Sequence, residues 1–343
     1  MKPRIVVIGS ANMDMIIRTS HIPRVGETIL GEDFIQSLGG KGANQAIAAA
    51  RLGADVTFIA RLGNDHFGRV MLESYKQEGV DISHIIIDGE YPTGVALILI
   101  DSKGENVICV APGANAKLSV DDIAASEDVI KSADYVLLQL EIPIVTVEYA
   151  IRLAAKYHVR VVLNPAPIAK ISRDILELID VLTPNHSEAI VMAEEKGSLS
   201  GEVALALRRK FNIKNVVITM GKNGTAISSE SSPIPKVIPG FIVDPVDITG
   251  AGDAFNSGLA FALASGLEVE EAVRYANAVG ALAITRLGAQ SSLPTSEEVA
   301  AFLYMNPRIN PNESKPTYVV IDINGLGRRN SLTPGKRRKN ESA

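Results

Sequence analysis

Cysteine is almost missing from the 343-residue chain, because Cys109 is the only one. A single cysteine cannot close a disulfide within the chain, and this scarcity fits a reducing, cytoplasmic compartment. Long apolar runs are missing as well, since none reaches the roughly 20 residues that a membrane-spanning helix needs. The run Ile5–Ile8 after the basic start is too short for the core of a signal peptide. The sequence therefore predicts a cytoplasmic protein without a membrane partner.

Several catalytic patterns are also lacking. The five histidines are scattered and show no zinc-ligand spacing. Ser10 and Ser257 have no evident His and Asp partners, so nothing points to a serine hydrolase. Lys41 follows two glycines but is not the lysine of a Walker motif, and residues 9–14 do not supply the Gly-x-Gly-x-x-Gly of a dinucleotide-binding dehydrogenase. These absences disfavour a zinc protein, a serine hydrolase, a nucleotide-binding protein of the Walker type and a dinucleotide-binding dehydrogenase.

Charge is divided unevenly along the chain. The formal net charge is −5, yet residues 306–343 hold eight Lys or Arg against three Asp or Glu. The remainder is strongly acidic, which argues against nucleic acid as its main ligand. Because the composition changes after Met305, we expect 306–343 to be a disordered basic tail. The whole chain, with 46% hydrophobic and 21% charged residues, has the composition of a soluble globular protein.

Short apolar runs alternate with longer amphipathic stretches over most of the chain. The runs are rich in β-branched residues and lack polar alternation, as expected for strands buried on both faces of a sheet. We predict strands at Ile5–Ile8, Val56–Ile59, Tyr135–Leu138, Val159–Leu163, Val181–Leu182 and Val216–Ile218. We predict helices at Ala43–Leu52, Gly68–Gln77, Val120–Lys131, Val145–Tyr157, Ser187–Glu195 and Val203–Lys210, then three in succession at Ala251–Ser265, Glu270–Arg286 and Ser296–Tyr304. This order predicts an α/β fold with a mainly parallel central sheet and helices on both faces.

Two segments interrupt this alternation, at about residues 12–38 and 85–110. They contain short β-like patches, among them Val95–Ile100 and Val107–Val110, separated by Gly, Pro and Asp. Neither segment has room for a crossover helix, so we assign both to a small antiparallel sheet that projects from the main one. A projecting sheet beside a ligand site would serve as a lid.

Small and polar residues follow the predicted strands. Ligands of open parallel sheets bind beyond the carboxyl ends of the strands, so these residues are candidates for a binding site. They are Gly9, Asn12 and Asp14 after the first strand, then Gln139, Glu141, Asn164, Asn185, Glu188, Thr219, Gly221 and Gly224. The set suits a polar, hydroxyl-rich ligand, although strand ends also attract such residues simply as turn formers.

Two glycine clusters precede predicted helices. Residues 39–42, Gly-Gly-Lys-Gly, either let backbone amides approach a ligand or only satisfy a need for positive φ. Residues 250–253, Gly-Ala-Gly-Asp, open the helix Ala251–Ser265, where free N–H groups and the helix dipole make an anion site. A carboxylate beside a bound anion would repel it, so the presence of Asp253 at this position needs an explanation. Asp253 either removes a proton from an attacking hydroxyl during phosphoryl transfer or only caps the helix.

These residues belong to a longer series of motifs. In chain order the series is Gly9-Ser10-x-Asn12-x-Asp14, Pro23-x-x-Gly26-Glu27-Thr28, Gly39-Gly40-Lys41-Gly42-Ala43-Asn44, Gly94-Val95-Ala96, Gly113-Ala114-Asn115, Gln139-Leu140-Glu141, Asn164-Pro165-Ala166-Pro167, Thr183-Pro184-Asn185-x-x-Glu188, Asp247-x-Thr249-Gly250-Ala251-Gly252-Asp253 and Arg286-x-Gly288-Ala289-Gln290. With these motifs the chain resembles the ribokinase-like family of carbohydrate kinases over about residues 4–303. The resemblance implies one kinase domain at 1–305, with the two lid segments inside it.

The resemblance also implies an activity, the ATP-dependent phosphorylation of D-ribose at its 5-hydroxyl. It makes Asp253 the general base, and it makes the amides of Gly250, Ala251 and Gly252 an anion hole for the γ-phosphate. It assigns sugar binding to Asn12, Asp14, Gly40, Lys41, Asn44, Glu141 and Asp253. It assigns ATP binding to Asn185, Thr219, Gly221, Gly224, Gly252 and Asn277.

Two metal ions and a subunit contact are implied in the same way. Glu188, with Asn185, would help to organise Mg²⁺ through water, since Mg²⁺ keeps several waters and uses substrate phosphates as ligands. An activating K⁺ would lie at Asp247, Thr249, Ala283, Arg286, Gly288 and Ser292, partly through backbone carbonyls. A homodimer in which the small sheets of two subunits pack together would cover apolar patches such as Val95–Ile100.

Two alternative functions stay open. A kinase of the same family that acts on a nucleoside or on another sugar would share these motifs, since apolar lid residues also accept a base. A sugar-binding regulatory protein without catalysis is the alternative from another class. The intact segment Gly250–Asp253 argues against it, because a pure binder needs no base beside an anion site.

Overall fold

The computed structural model of the chain describes residues 2–194 and 199–307. The predicted tail 306–343 therefore lies outside the described residues, apart from its first two positions. The strands are, in chain order, β1 (Arg4–Ile8), β2 (Asn12–Arg18), β3 (Phe34–Gly39), β4 (Asp55–Gly63), β5 (Ile85–Asp88), β6 (Gly94–Ile100), β7 (Asn106–Ala111), β8 (Tyr135–Leu138), β9 (Arg160–Leu163), β10 (Val181–Leu182), β11 (Asn215–Thr219), β12 (Thr225–Ser229) and β13 (Ser232–Ile238).

The α-helices lie between and after these strands. They are α1 (Lys41–Arg51), α2 (His66–Gln77), α3 (Val120–Ala125), α4 (Glu127–Ser132), α5 (Ile144–Lys156), α6 (Arg173–Leu176), α7 (His186–Ala193), α8 (Ser200–Phe211), α9 (Ala251–Ala264), α10 (Val269–Ala283) and α11 (Ser296–Met305). Short 3₁₀ helices occupy Gly113–Lys117, Gly221–Asn223 and Gln290–Ser292. The three successive C-terminal helices predicted from the sequence are confirmed, whereas the predicted helix Val120–Lys131 is divided at Ser126 into α3 and α4.

Nine strands form the main sheet in the order β13-β12-β11-β10-β9-β8-β1-β4-β5. The paired strands from β11 to β5 are parallel, and the hairpin β12–β13 adds two antiparallel strands at one edge. β1 lies near the middle, and its side chains alternate between two apolar layers: Ile5 and Val7 face one, Val6 and Ile8 the other. The predicted α/β fold is confirmed.

A second, four-stranded sheet, which we call the lid sheet, has the order β3-β2-β6-β7. Its central pair, β2 and β6, is parallel, with Asn12 opposite Gly94, so the prediction of a purely antiparallel sheet is wrong. The assignment of all of 85–110 to this sheet is wrong as well. β5 pairs in parallel with the end of β4, because β4 continues to Gly63 and offers the apolar run of β5 a place on the edge of the main sheet.

The helices cover the main sheet in two layers. α1, α2, α9, α10 and α11 bury their apolar sides on one face, and α3 to α8 bury theirs on the other. α9 and α10 pack along each other through many alanines, and α1 packs against α9. Within residues 2–194 and 199–307, no helix is both long enough and apolar enough to cross a membrane.

Candidate active site

The loop after β1 and the start of α1 approach each other closely at the carboxyl edge of the main sheet. A Cβ atom on Gly42 would lie 2.6 Å from the carbonyl carbon of Gly9. Gly40, just before α1, has a φ of +89°, and its Cβ would lie 2.7 Å from Cα of Ala11. The first glycine cluster therefore meets a need for positive φ and a need for close approach at once. The result is that the first turn of α1 lies against the residues that follow β1.

Lys41 and Glu141 form an ion pair at this edge, with 3.9 Å between Lys41 Nζ and Glu141 Oε1. The other carboxylate oxygen, Oε2, accepts hydrogen bonds from Ser10 Oγ (2.5 Å) and from the backbone N–H of Lys41 (3.1 Å). Burial alone would lower the pKa of Lys41. Four facing carboxylates outweigh burial and raise that pKa above its ordinary value: Asp253, Glu141, Glu188 and Asp14. Lys41 is therefore charged at neutral pH and lies at the centre of an acidic cluster.

Asn12 and Asp14 enter the same site from β2. Asn12 is buried, and its Oδ1 accepts a hydrogen bond from Asn115 Nδ2 at 2.8 Å. Asn115 also bonds to both backbone groups of Ala11, which fixes the start of β2 against the Gly113–Lys117 turn. Burial raises the pKa of Asp14 to about 7, and the nearby charge of Glu141 adds to the rise. β2 thus supplies a fixed amide and a carboxylate that changes its charge near neutral pH.

Asp253 lies in the first turn of α9 and is only 6% exposed. Its Oδ2 accepts a hydrogen bond from Asn44 Nδ2 (2.9 Å), and its Oδ1 accepts one from Gln45 Nε2 (3.0 Å). Burial raises the pKa of Asp253, while Lys41 and these two hydrogen bonds oppose the rise. The alternative that Asp253 only caps the helix is wrong, because the N-cap of α9 is Gly250, with a φ of +76° and no side-chain cap.

The start of α9 has the form that an anion site requires. The first N–H groups of a helix have no partner within the helix, and the helix dipole places partial positive charge there. Of these groups, the N–H of Ala251 donates to the carbonyl of Ile248 before the helix at 3.3 Å. A Cβ atom on Gly252 would meet no other atom within 4 Å, so the space beside this turn is open. Gly250, Ala251, Gly252 and Asp253 therefore lie together, with the backbone amides at the helix start and the carboxylate hydrogen-bonded to Asn44 and Gln45 of α1.

Residues predicted to bind the nucleotide form a second group along the same edge. Asn185 and Thr219 pair through a parallel bridge. They line a cavity of about 380 Å³ together with His186, Ser187, Ser200, Met220, Gly221 and Asn223. Gly224 and Asn277 do not line this cavity. The Oδ1 of Asn277 accepts a hydrogen bond from Thr225 Oγ1 at 2.7 Å.

Glu188 connects the two groups of residues. It belongs to a reciprocal cap at the start of α7, in which Glu188 N–H donates to Asn185 Oδ1 (2.9 Å) and Asn185 N–H donates to Glu188 Oε2 (2.8 Å). Burial raises the pKa of Glu188, and the Asn185 N–H and the charge of Lys41 oppose the rise. A half-buried carboxylate therefore faces Lys41 from the nucleotide side.

Of the six residues predicted to hold a monovalent cation, the structure joins three through hydrogen bonds. Asp247 Oδ1 accepts the N–H of Thr249, and Oδ2 accepts the N–H of Gly288, both at 2.9 Å. Burial would raise the pKa of Asp247, but these hydrogen bonds outweigh it and lower that pKa. The other three are engaged elsewhere or are apolar: the Arg286 guanidinium pairs with Glu298, Ser292 Oγ donates to the carbonyl of Ala289, and Ala283 is buried in α10.

The site contains five further buried polar residues, of which only Gln139 was among the candidates that follow the predicted strands. Ser10, Gln45, Asn115, Gln139 and Gln290 are all buried and hydrogen-bonded to predicted site residues or to one another. Gln45 directly follows the Gly39–Asn44 motif, and the other four belong to motifs of the series. Their place in the motifs is the sequence signal by which they could have been found.

Comparison with known proteins agrees with this geometry. The family description "pfkB family carbohydrate kinase" matches residues 2–296. The chain is 41% identical to the ribokinase of Haemophilus influenzae over 305 residues, which are 88% of this chain and 99% of the relative. Its structure is similar to that of ribokinase from Thermotoga maritima, with a TM-score of 0.81, 34% identity, and coverage of 89% of this chain and 100% of the other.

A second similar structure is a complex with two small molecules. It is Arabidopsis thaliana ribokinase complexed with ribose and ATP, with a TM-score of 0.81, 31% identity, and coverage of 88% of this chain and 99% of the other. The family match spans well over half of the chain, and the similarity extends over both the main sheet and the lid sheet. The chain therefore belongs to the pfkB family of carbohydrate kinases.

Proposed function

We propose that this chain is a ribokinase, which transfers the γ-phosphoryl group of ATP to the 5-hydroxyl of D-ribose. The observation that carries the proposal is the position of Asp253. It is a buried carboxylate in the first turn of α9 with a hydrogen bond to each oxygen, and the charges of Lys41 and Glu141 both act on its pKa. A helix start suits a phosphate, and the acidic cluster suits hydroxyl groups.

The sugar side is formed by Asn12, Asp14, Gly40, Lys41, Asn44 and Glu141. Carboxylates accept hydrogen bonds from hydroxyls, and amides and ammonium groups donate to them, so the set can bind neighbouring hydroxyls with fixed directions. The positive charge of Lys41 offsets part of the negative charge of the cluster. A neutral, hydroxyl-rich sugar fits such a site.

In the reaction, Asp253 accepts the proton of the 5-hydroxyl while that oxygen forms its bond to the γ-phosphorus. The bond between the γ-phosphorus and the bridging oxygen breaks at the same time, and ADP leaves. Phosphoryl transfer needs little covalent help from the protein, so positioning and charge stabilisation dominate. The amides of Gly250, Ala251 and Gly252 bind the phosphoryl oxygens, and Asn185, Thr219, Gly221, Gly224 and Asn277 position the rest of ATP.

Mg²⁺ belongs to the proposal through Glu188 and Asn185. Among the residues that the structure describes, no group of three or more His, Cys, Asp or Glu side chains could hold a metal by itself. Mg²⁺ does not need such a group of side chains, because it keeps several waters and takes phosphate oxygens as ligands. When bound, it neutralises part of the phosphate charge. The half-buried carboxylate of Glu188 is the oxygen donor that this chain offers toward it.

An activating K⁺ is proposed at the loops that Asp247 joins. The carboxylate of Asp247 links the loop at Thr249, which leads into α9, with the loop at Gly288. Carboxylate and carbonyl oxygens are suitable ligands for a hard monovalent cation. A cation bound here would order the loop that leads into α9 and so fix the position of the backbone amides at the start of that helix. The test is a rate series in K⁺ against tetramethylammonium; equal rates would remove K⁺ from the proposal.

The experiment for the main proposal is an ADP-release assay across D-ribose, 2-deoxyribose, fructose, adenosine and inosine. We expect the highest kcat/KM with D-ribose, and the product should be phosphorylated at the 5-position by NMR. A nucleoside or another sugar as the best substrate would establish the alternative kinase. Sugar binding by calorimetry without any ADP release would establish the non-catalytic alternative.

The role of Asp253 gives a sharper expectation. Asp253→Asn should lower kcat by about 10²- to 10⁴-fold, the range that a general base contributes, because the amide cannot accept the hydroxyl proton. Ribose and ATP affinities measured by calorimetry should change by only a few fold. Asp121→Asn, on the first turn of α3, is the matched control and should keep the wild-type rate. Wild-type turnover in Asp253→Asn would remove the base from the proposal.

A further inference from the structure

A row of buried side-chain amides extends on both sides of Asp253. Gln139 Nε2 donates to Gln45 Oε1 at 2.5 Å, and Gln45 Nε2 donates to Asp253 Oδ1 at 3.0 Å. On the other side, Gln290 Nε2 donates to Asn44 Oδ1 at 3.1 Å, and Asn44 Nδ2 donates to Asp253 Oδ2 at 2.9 Å. All five residues are at most 6% exposed. Every hydrogen bond in the row is directed toward the carboxylate.

The two outer glutamines decide which end of each inner amide faces Asp253. A side-chain amide can present either its NH₂ group or its oxygen, because the two ends have nearly the same shape. Gln139 donates to the oxygen of Gln45, so the NH₂ group of Gln45 is left for Asp253. Gln290 acts on Asn44 in the same way. If either inner amide turned over, its oxygen would face a carboxylate oxygen.

The outer glutamines come from distant parts of the fold. Gln139 follows β8, and Gln290 lies in the 3₁₀ helix Gln290–Ser292, whereas both inner amides belong to α1. In each outer glutamine the Oε1 atom is buried and accepts no hydrogen bond from the described residues. Leaving a buried acceptor unsatisfied is costly. The NH₂ group of each nonetheless points toward the inner amide. All hydrogen bonds of the row therefore run toward Asp253, while the oxygens of the two outer glutamines accept none from the described residues.

We infer that Gln139 and Gln290 are positioning residues, which orient Gln45 and Asn44 so that Asp253 is kept in the ionised form that accepts the proton of the substrate. Each glutamine bonds to its inner amide and acts on Asp253 through that amide. The inference rests on the proposed function for the identity of the proton donor. The ionisation of Asp253 itself does not depend on that function.

In addition to the neutral amides, three charged side chains act on Asp253. Lys41 of α1 favours its ionised form, whereas Glu141 after β8 and Asp14 of β2 oppose it. α10, which packs along α9, presents mainly alanine and valine, and its Tyr275 packs against Phe261, more than two turns from Asp253. The two oriented N–H donors are therefore the main neutral groups that offset the effect of burial on this carboxyl.

The test replaces each outer glutamine by a side chain of similar size that cannot donate, in Gln139→Met and Gln290→Met. The control is Ser257→Ala, which removes a buried hydroxyl from the same place. Ser257 Oγ donates to the backbone carbonyls of Gln45 and Asp253 rather than to a side chain of the row, so its loss leaves the amide row intact. The first measurement is kcat as a function of pH. The second is the infrared band of the protonated Asp253 carboxyl, with Asp253→Asn as the blank.

We expect each methionine variant to shift the acid limb of kcat, and the midpoint of the infrared band, upward by about one pH unit, a tenfold change in proton affinity. At pH 9 kcat should return to within about threefold of the wild type. The control should move neither midpoint. A fall in kcat that is equal at all pH values, with an unmoved infrared midpoint, overturns the inference. The infrared midpoint tests the positioning role even if the chain proves to phosphorylate another substrate. One methionine variant that folds is enough for this test.

Discussion

Asp14 differs from the other carboxylates of the site because burial, with the charge of Glu141, raises its pKa to about 7. In the free protein it is protonated below this pH and ionised above it. In the proposed sugar site, ribose hydroxyls would donate to the ionised form, so binding below pH 7 would first have to release the proton. The affinity for ribose should therefore fall by about tenfold for each pH unit below 7 and level off above it. Calorimetry between pH 5.5 and 8.5 measures this directly.

The control for this prediction is Asp14→Asn, which keeps Asp253 and Glu141 unchanged. It should bind ribose weakly and with little dependence on pH. Calorimetry in buffers of different ionisation enthalpy should show about one proton released per ribose at pH 6 in the wild type. A wild-type affinity that stays constant between pH 6 and 8 would contradict the assignment of this titration to ribose binding.

Single residues could be predicted from the sequence only where they belong to a recognisable pattern. Lys41, Glu141 and Asp253 follow a strand or open helices, and the structure brings them together at one edge. The amide row could not be predicted in this way. Its glutamine contacts join residues that are 94 and 246 positions apart, and neither a motif nor a periodicity relates such positions.

At the scale of elements, the start of α1 depends on Gly40. Alanine there would need a positive φ and would also place Cβ 2.7 Å from Cα of Ala11. Gly79, after α2, is a matched control, because its φ is +76° but its Cβ would meet nothing within 4 Å. We expect Gly79→Ala to lower the free energy of unfolding by about 1 kcal/mol and Gly40→Ala by about 3 kcal/mol. Urea denaturation measures both.

Gly40→Ala should also raise the KM for ribose, since the loop carries Lys41 into the site, whereas Gly79→Ala should leave it unchanged. Equal destabilisation by the two variants would mean that the backbone at Ala11 moves aside without cost. The close approach of α1 to the residues after β1 would then not depend on the absence of a side chain at position 40.

The predicted strands are confirmed where an apolar run is fully buried, because burial on both faces leaves a clear pattern. β12 and β13 were not predicted, since they contain Ser, Thr and Pro, and the sequence TAISS gives little sign that all five of its residues are buried. β5 was assigned to the wrong sheet for a related reason. A short apolar run shows that a strand exists, but only pairing decides which sheet it joins.

At the scale of the whole molecule, the arrangement of the two sheets follows from contacts between distant segments. The parallel pairing of β2 with β6 joins Asn12 to Gly94, and it places Asp14 opposite Ala96. Side chains that are directly opposite share a face of the sheet. The lid sheet is therefore continuous with the candidate site through β2, which carries both Asn12 and Asp14. Local patterns in the sequence could predict the patches but not this register.

The lid sheet also carries our prediction for assembly. On the face that bears Asp14, the pairings align Ile16, Ile98 and Ile108, and Ile108 is 54% exposed. Such an apolar face is normally covered, and we propose that the lid sheet of a second copy covers it, which would also exclude water from the sugar.

Ile108→Glu places a charge in that contact and should weaken the homodimer at least tenfold, with a matching rise in the KM for ribose. Its neighbour Val107 is similarly exposed but points to the opposite face. Val107→Glu should therefore remain dimeric in sedimentation equilibrium at micromolar concentration. A wild type that is monomeric, or a dimer that survives Ile108→Glu but not Val107→Glu, would contradict the contact through this face.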